Sequence, residues 1–172
     1  MKRRTWLGLA AVSLLILGAA ACGPKIPTET YSVEGRFSME YPEDWSYEES
    51  NGAVGFTTDP ESIEEMGFVV AYELDLLAAT FSVDLEDPAA LLIFYYSSSG
   101  LGEPEIRTDS FGGGEWVISD YFFEDAEFGL RGWIAVGRSA DQSLLVVVGA
   151  TPEDFETYLP SYEMMFDSIR FE

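Results

Sequence analysis

The side chains that carry most enzymatic chemistry are scarce in this sequence. It holds no histidine and one cysteine, against 31 acidic residues. Without imidazole there is no Ser-His-Asp triad, no histidine-ligated zinc and no histidine acid–base pair. What remains is carboxylate chemistry. A well-spaced pair of carboxylates can hydrolyse a glycoside, and six to eight oxygens converging on one point can hold calcium. Three acidic stretches have the composition for a hard cation: Asp59, Glu61, Glu64 and Glu65 in "DPESIEE", Asp84, Glu86 and Asp87 in "DLED", and Glu124, Asp125 and Glu127 in "FEDAEFG". Gly129 permits a tight loop after the last, which ranks it first. None has EF-hand spacing, so the expectation is solvated loops, with calcium as the alternative. "SFGGGEW" lacks the lysine of a P-loop and reads as a bulged hairpin turn. No nucleophile motif is present, and the chain is expected to catalyse nothing and to carry no cofactor.

Cys22 has no second cysteine to pair with, and an unpaired thiol is a liability in an oxidising compartment unless it is used. Its surroundings supply a use. Lys2, Arg3 and Arg4 form a positive start, Trp6 to Leu17 an apolar stretch, and Gly18 to Ala21 a run of small residues up to the cysteine. This is the anatomy of an export signal. "AAAC" is similar to a bacterial lipobox, in which the cysteine receives a diacylglyceryl group. Residues 1–21 are then a signal peptide and Cys22 is the lipidated N-terminus. Cleavage at an A-x-A site without lipid and an uncleaved membrane helix from Thr5 to Ala21 are the alternatives. "KRRTWLGL" also fits a twin-arginine signal, which leaves two export routes open.

Residues 1–21 contain three of the nine basic residues and no acidic one, so six basic residues face 31 acidic ones from Cys22 onward. Such a surface repels phosphate backbones and excludes nucleic-acid binding. Anionic headgroups are repelled too, so attachment to a membrane must come from acyl chains at Cys22. The expected location is extracytoplasmic, anchored by that lipid.

The segment "CGPKIPTET" (residues 22–30) has no apolar periodicity and reads as a tether. From Tyr31 to Glu172 apolar residues recur without a long polar insert, which suits one domain with its own core. "RFSMEYP" alternates Phe37, Met39 and Tyr41 against Ser38 and Glu40, a half-buried strand stopped by Pro42. "AVGFTT" and "GFVVAYELDLL" read as further strands. In "DPAALLIFYY" Asp87 caps a helix, Pro88 takes its first position, and "SSSGLG" ends it. "EPEIRTDSFGGGEWVISDYFF", "LRGWIAVGR" and "SLLVVVGA" read as an antiparallel meander, with "SADQ" a turn and "LLVVV" the most buried strand. A last helix opens at "TPEDF" with Thr151 as cap. Phe155, Tyr158, Leu159, Tyr162 and Phe166 share one face of it, and Pro160 predicts a kink or two short helices.

"FSMEYPEDW" (Phe37 to Trp45), followed by "GAVGF", and the closing "YEMMFDSIRF" (Tyr162 to Phe171) resemble the superfamily of the PsbP extrinsic photosystem protein and the DcrB-type envelope lipoproteins. The resemblance implies an α+β fold, an α-β-α sandwich around a mainly antiparallel sheet, over residues 31–172. Its members serve as assembly factors, extrinsic subunits and binding modules. Tyr41, Pro42 and Trp45 read as fold determinants, the indole folding over the end of the sheet.

The functional expectation is a non-catalytic, membrane-anchored lipoprotein that binds a protein partner. Trp116, Tyr121, Phe122, Phe123 and Trp133 crowd two neighbouring strands, and Tyr121, Phe123 and Trp133 are the candidate partner contacts. The alternative is a binding protein for a small molecule or calcium, with Glu124, Asp125 and Glu127 as its carboxylates.

Overall fold

The computed structural model describes residues 25–59, 61, 66–74, 87–112, 114–123, 129–139 and 142–172. Along these the elements are β1 (Thr28–Val33), β2 (Phe37–Pro42), β3 (Ser46–Ser50), β4 (Ala53–Thr57), β5 (Phe68–Glu73), α1 (Pro88–Ser99), β6 (Arg107–Phe111), β7 (Gly114–Phe123), β8 (Leu130–Arg138), β9 (Ser143–Ala150), α2 (Phe155–Ser168) and β10 (Arg170–Phe171). One sheet has seven strands in the order β3-β4-β5-β9-β8-β7-β6, and a smaller one has the order β1-β2-β10. Every pairing is antiparallel.

The layers follow from the alternation along each strand. β9 sits at the centre of the large sheet with all eight residues buried. Leu144, Val146, Val148 and Ala150 join the core beneath α2, while Leu145 and Val147 join the core beneath α1. A strand covered on both faces needs apolar side chains at every position, which is why "LLVVV" stands out. α1 packs on β7 and β8 through Leu91, Leu92 and Tyr96. On the opposite face α2 and the three-stranded sheet lie together, with Phe155, Tyr162, Met165 and Phe166 turned inward. Among the described residues the result is an α+β sandwich with one helix on each side of an antiparallel sheet.

Local signals place both helices. The Asp87 carboxylate accepts from the backbone N–H groups of Ala89 at 2.9 Å and Ala90 at 3.2 Å, with Pro88 in the first turn. Gly100 ends α1 at φ 73°, a left-handed conformation that glycine adopts without a Cβ penalty. Before α2, the Thr151 hydroxyl donates to Asp154 at 2.7 Å and accepts from its N–H at 3.3 Å. The expected kink or division at Pro160 does not appear as two helices: α2 runs unbroken from Phe155 to Ser168. Pro160 deprives only the Glu156 carbonyl of its donor, and Glu156 is exposed, so water can take that bond.

The motif "EYPEDW" does what its composition suggests. Pro42 ends β2, the Trp45 N–H donates to the Pro42 carbonyl at 3.0 Å, and this turn lays the indole edge-on against Tyr158 and Tyr162. Trp45 is 7% exposed. The C-terminal serine has an equally concrete task. The Glu40 N–H of β2 donates to Ser168 Oγ at 2.8 Å, and the same hydroxyl donates to the Met165 carbonyl at 2.7 Å, tying the end of α2 to the small sheet. One boundary differs from expectation. Thr28, Glu29 and Thr30 are not tether but the first half of β1, paired with Pro42, Tyr41 and Glu40. The "GGG" turn is a hairpin in which Phe111 pairs directly with Gly114.

Candidate functional site

Among the described residues, α1 covers only part of its face of the large sheet. Beside it these residues line a groove of about 280 Å³. Phe68, Val70 and Tyr72 of β5 and Val147 of β9 form one side of the groove. Tyr95 and Ser99 of α1, followed by Leu101, form the other, and Tyr121 and Phe123 of β7 close the end with Leu130 and Ile134 of β8. The lining is apolar apart from hydroxyls.

Two glycines set its floor. Gly132 and Gly149 face each other across β8 and β9, and the Tyr121 ring lies over both. A Cβ on Gly132 would come within 2.7 Å of Tyr121 Cε1 and would also meet the Val148 carbonyl oxygen. A Cβ on Gly149 would meet the Tyr121 hydroxyl and reach 2.8 Å from Phe68 Cζ. Only glycine lets an aromatic ring rest on the backbone here.

Two phenols of this groove, Tyr95 and Tyr121, are held away from ionisation. Burial pushes the Tyr121 hydroxyl well above the ordinary phenol range, with Tyr95 and Tyr96 adding to the effect. Burial also raises Tyr95, helped by Tyr72 and opposed by its hydrogen bond with Ser99. Deeper in, the Tyr96 hydroxyl donates to the Asp120 carbonyl at 2.6 Å and locks α1 to β7. An uncharged, apolar recess edged by hydroxyls can seat an apolar side chain or small apolar molecule and orient it through a hydrogen bond. Its lining residues include no carboxylate, lysine, histidine or cysteine.

The three residues expected to contact a partner are not brought together. Tyr121 and Phe123 share the groove, and Phe123 is 37% exposed at its mouth. Trp133 lies on the other face of the sheet, because its partner across the ladder is Asp120 while Tyr121 faces Gly132. There the indole packs edge-on against Phe155 and Phe166, with the Arg107 guanidinium 5.8 Å from the ring centre. Phe122 is exposed and Trp116 is buried. Sequence reasoning missed Phe68, Tyr72, Tyr95 and Leu101. The signal for Phe68, Tyr72 and Tyr95 was present in "FVVAYE" and "LLIFYY", which carry apolar residues on more than one face.

Several other expectations fall outside the described residues: Cys22 and its signal, Glu64, Glu65, Asp84, Glu86, and the triplet Glu124, Asp125 and Glu127. Among the described acidic residues, Asp59 accepts from the Glu61 N–H at 2.8 Å in a local turn, and Asp87 caps α1. No three described acidic or cysteine side chains converge as a metal site would require, and no described helix is long and apolar enough to cross a membrane.

No protein-family model and no curated protein matches the sequence. Solved structures do. The solution structure of cyanobacterial PsbP (CyanoP) from Synechocystis sp. PCC 6803 superposes with a TM-score of 0.55 at 14% identity, over 90% of this chain and 99% of that one. LpqN, involved in cell envelope biogenesis of Mycobacterium tuberculosis, gives 0.52 at 13% identity over 84% and 85% of the two chains. A protein of Bacteroides thetaiotaomicron VPI-5482 gives 0.57 at 13% identity over 83% of this chain, which spans about half (48%) of that one. At such identities the likeness is one of fold, and it agrees with the layers and topology above: the chain has the PsbP-like α+β fold.

Proposed function

We propose that the protein is a non-catalytic lipoprotein, held at the outer face of a membrane by a lipid on Cys22, whose folded domain binds a protein partner through the groove beside α1. The observation that carries this reading is the groove itself. Among the described residues it is an apolar recess of about 280 Å³ with the partly exposed Phe123 at its mouth. Contact surfaces of this kind take an aromatic or aliphatic anchor from a partner. The sequence adds two supports: Cys22 stands after an export signal, and no histidine or second cysteine is available for chemistry.

Two arms test it. In the first, the wild-type chain and Phe123→Ser are crosslinked in intact membranes and their partners compared. Phe123 is the right probe because it sits at the rim, whereas Tyr121 rests on the sheet backbone and its loss would damage the fold. The expected result is loss of one discrete crosslinked species from a variant that melts like wild type. An undiminished set of species would remove the groove as the binding surface. The second arm is mass spectrometry of the membrane fraction, where a lipidated peptide starting at Cys22 is expected and Cys22→Ser should be released from the membrane. A Cys22→Ser chain that stays in the membrane at full length would replace the lipid with an uncleaved helix.

A further inference from the structure

A second recess lies on the opposite face of the large sheet. Between β1 and the β3–β4 hairpin a cleft of about 320 Å³ opens at the seam of the two sheets. Its floor is apolar, formed by Val33, Phe37, Val54 and Ala71, and Tyr31 walls one end. The Tyr31 ring is held edge-on by Phe56 at 5.7 Å and Tyr47 at 5.4 Å. Two carboxylates, Glu49 and Glu73, complete the rim. The Glu73 side chain is 18% exposed and lies 3.6 Å from the Arg36 guanidinium, while Glu49 belongs to the exposed strand β3. Burial first, and these two carboxylates next, push the Tyr31 hydroxyl up to about 12, so the cleft carries negative charge and a neutral phenol.

We propose that this cleft receives a lysine or arginine side chain from a basic segment of the protein partner. The inference rests on the reading of the domain as a protein-binding module and supplies the partner's chemistry. The methylene stem of such a side chain needs an apolar floor, its cation is attracted to the face of an aromatic ring, and its N–H groups need carboxylate acceptors. The cleft offers all three within one recess. A carboxylate has about four lone-pair sites, so pairing with Arg36 does not exhaust Glu73. Charge complementarity extends beyond the cleft. With six basic residues against 31 acidic ones from Cys22 onward, the domain's field draws basic segments in and repels acidic ones. A divalent metal is a poorer occupant, because no three described acidic side chains converge here as a metal site would require.

The test uses the full-length chain in detergent micelles, with backbone amide NMR as the readout and three probes: acetyl-Leu-Lys-Leu-amide, the same peptide with norleucine for lysine, and lysine amide alone. The lysine peptide should shift the amides of Ser50 to Val54 saturably, and the norleucine peptide should not. Glu49→Gln, on an exposed strand where folding is not at risk, should weaken the lysine peptide about tenfold, the loss of one charge-assisted hydrogen bond. Equal binding of the norleucine peptide, shifts that lie outside the cleft, or full affinity in Glu49→Gln would each overturn the proposal. Lysine amide binding as tightly as the peptide would overturn the protein partner in favour of a small organic cation. The two readings fail separately. Partner crosslinks lost in Phe123→Ser but kept in Glu49→Gln sink the cleft and leave the module, whereas a lysine peptide seated in the cleft of a protein without any crosslinked partner sinks the module.

Discussion

The groove beside α1 and the cleft beside β1 are similar in size, about 280 and 320 Å³, and opposite in character. Both use β5, from its two faces: Val70 and Tyr72 point into the groove, Ala71 and Glu73 into the cleft. The groove is walled by apolar side chains and hydroxyls, the cleft by an apolar floor under two carboxylates. One strand with period-two alternation therefore serves two recesses with different chemistry. Volume alone does not tell them apart; the groups at the rim do. The groove asks for an apolar anchor and the cleft for a cation with an apolar stem.

The sharpest way to break this comparison is through the groove floor. Gly132→Ala would drive a Cβ into the Val148 carbonyl, a backbone atom that cannot rotate away, as well as into the Tyr121 ring. A loss of about 3 kcal/mol or more is expected in a urea melt, at the upper end for overpacking. A loss under about 1 kcal/mol would show that the two strands separate freely and that the groove has no fixed floor. Trp45→Ala should cost about 3–5 kcal/mol, since the indole is buried and edge-packed on two tyrosines of α2. Trp45 lines neither recess, so the folded fraction of this variant should keep the probe preferences of wild type. A change of preference would mean that the two recesses are not local features.

Gly149→Ala sharpens the picture at a smaller scale. Its Cβ would meet the Tyr121 hydroxyl, the end of a side chain rather than backbone, and Phe68 as well. About 1–3 kcal/mol is expected, and Tyr121→Phe in the same chain should return part of it by removing the colliding oxygen. Strict additivity of the two substitutions in a double-mutant cycle would place Tyr121 elsewhere than over Gly149.

What was legible in the sequence was local or doubly enforced. Asp87, Pro88 and Gly100 mark α1 because a cap, a fixed φ and a left-handed stop act within a few residues. β9 declares itself because both of its faces are buried. β3, "SYEES", shows no apolar alternation because it is an exposed edge strand. The start of β1 is equally silent, since Thr28–Thr30 become strand only by pairing with β2. The candidate site was half legible. Aromatic crowding in β7 and β8 pointed to Tyr121, Phe123 and Trp133, but a single residue of register decides the face, and register is a property of the pairing rather than of either strand. The cleft was invisible because its walls come from two sheets, and Tyr31, Glu49 and Glu73 meet only when those sheets meet.

The smallest expected effect separates the phenols near the cleft from those of the groove. Tyr31 and Tyr41 are both pushed up to about 12, for different leading reasons. Burial comes first for Tyr31, followed by Glu49, while for Tyr41 the leading cause is the bond its hydroxyl donates to Glu29 at 2.7 Å, followed by burial. An unfolded tyrosine titrates near 10, so from pH 10 upward the unfolded chain releases protons that the folded chain still holds. Stability is then full below about pH 10 and falls as pH rises toward 12. Glu29→Gln keeps an acceptor for the Tyr41 hydroxyl but takes away its charge, which weakens the leading cause and should move the Tyr41 step to a lower pH. Glu49→Gln should do so more weakly at Tyr31, because burial remains. Neither change should move Tyr95 or Tyr121, whose hydroxyls are raised by burial and by other tyrosines. Difference spectra against Tyr31→Phe and Tyr41→Phe assign each step. If Glu29→Gln and Glu49→Gln left the steps assigned to Tyr41 and Tyr31 where they are in wild type, the carboxylates would not be felt at these phenols, and the electrostatic half of the comparison would fall.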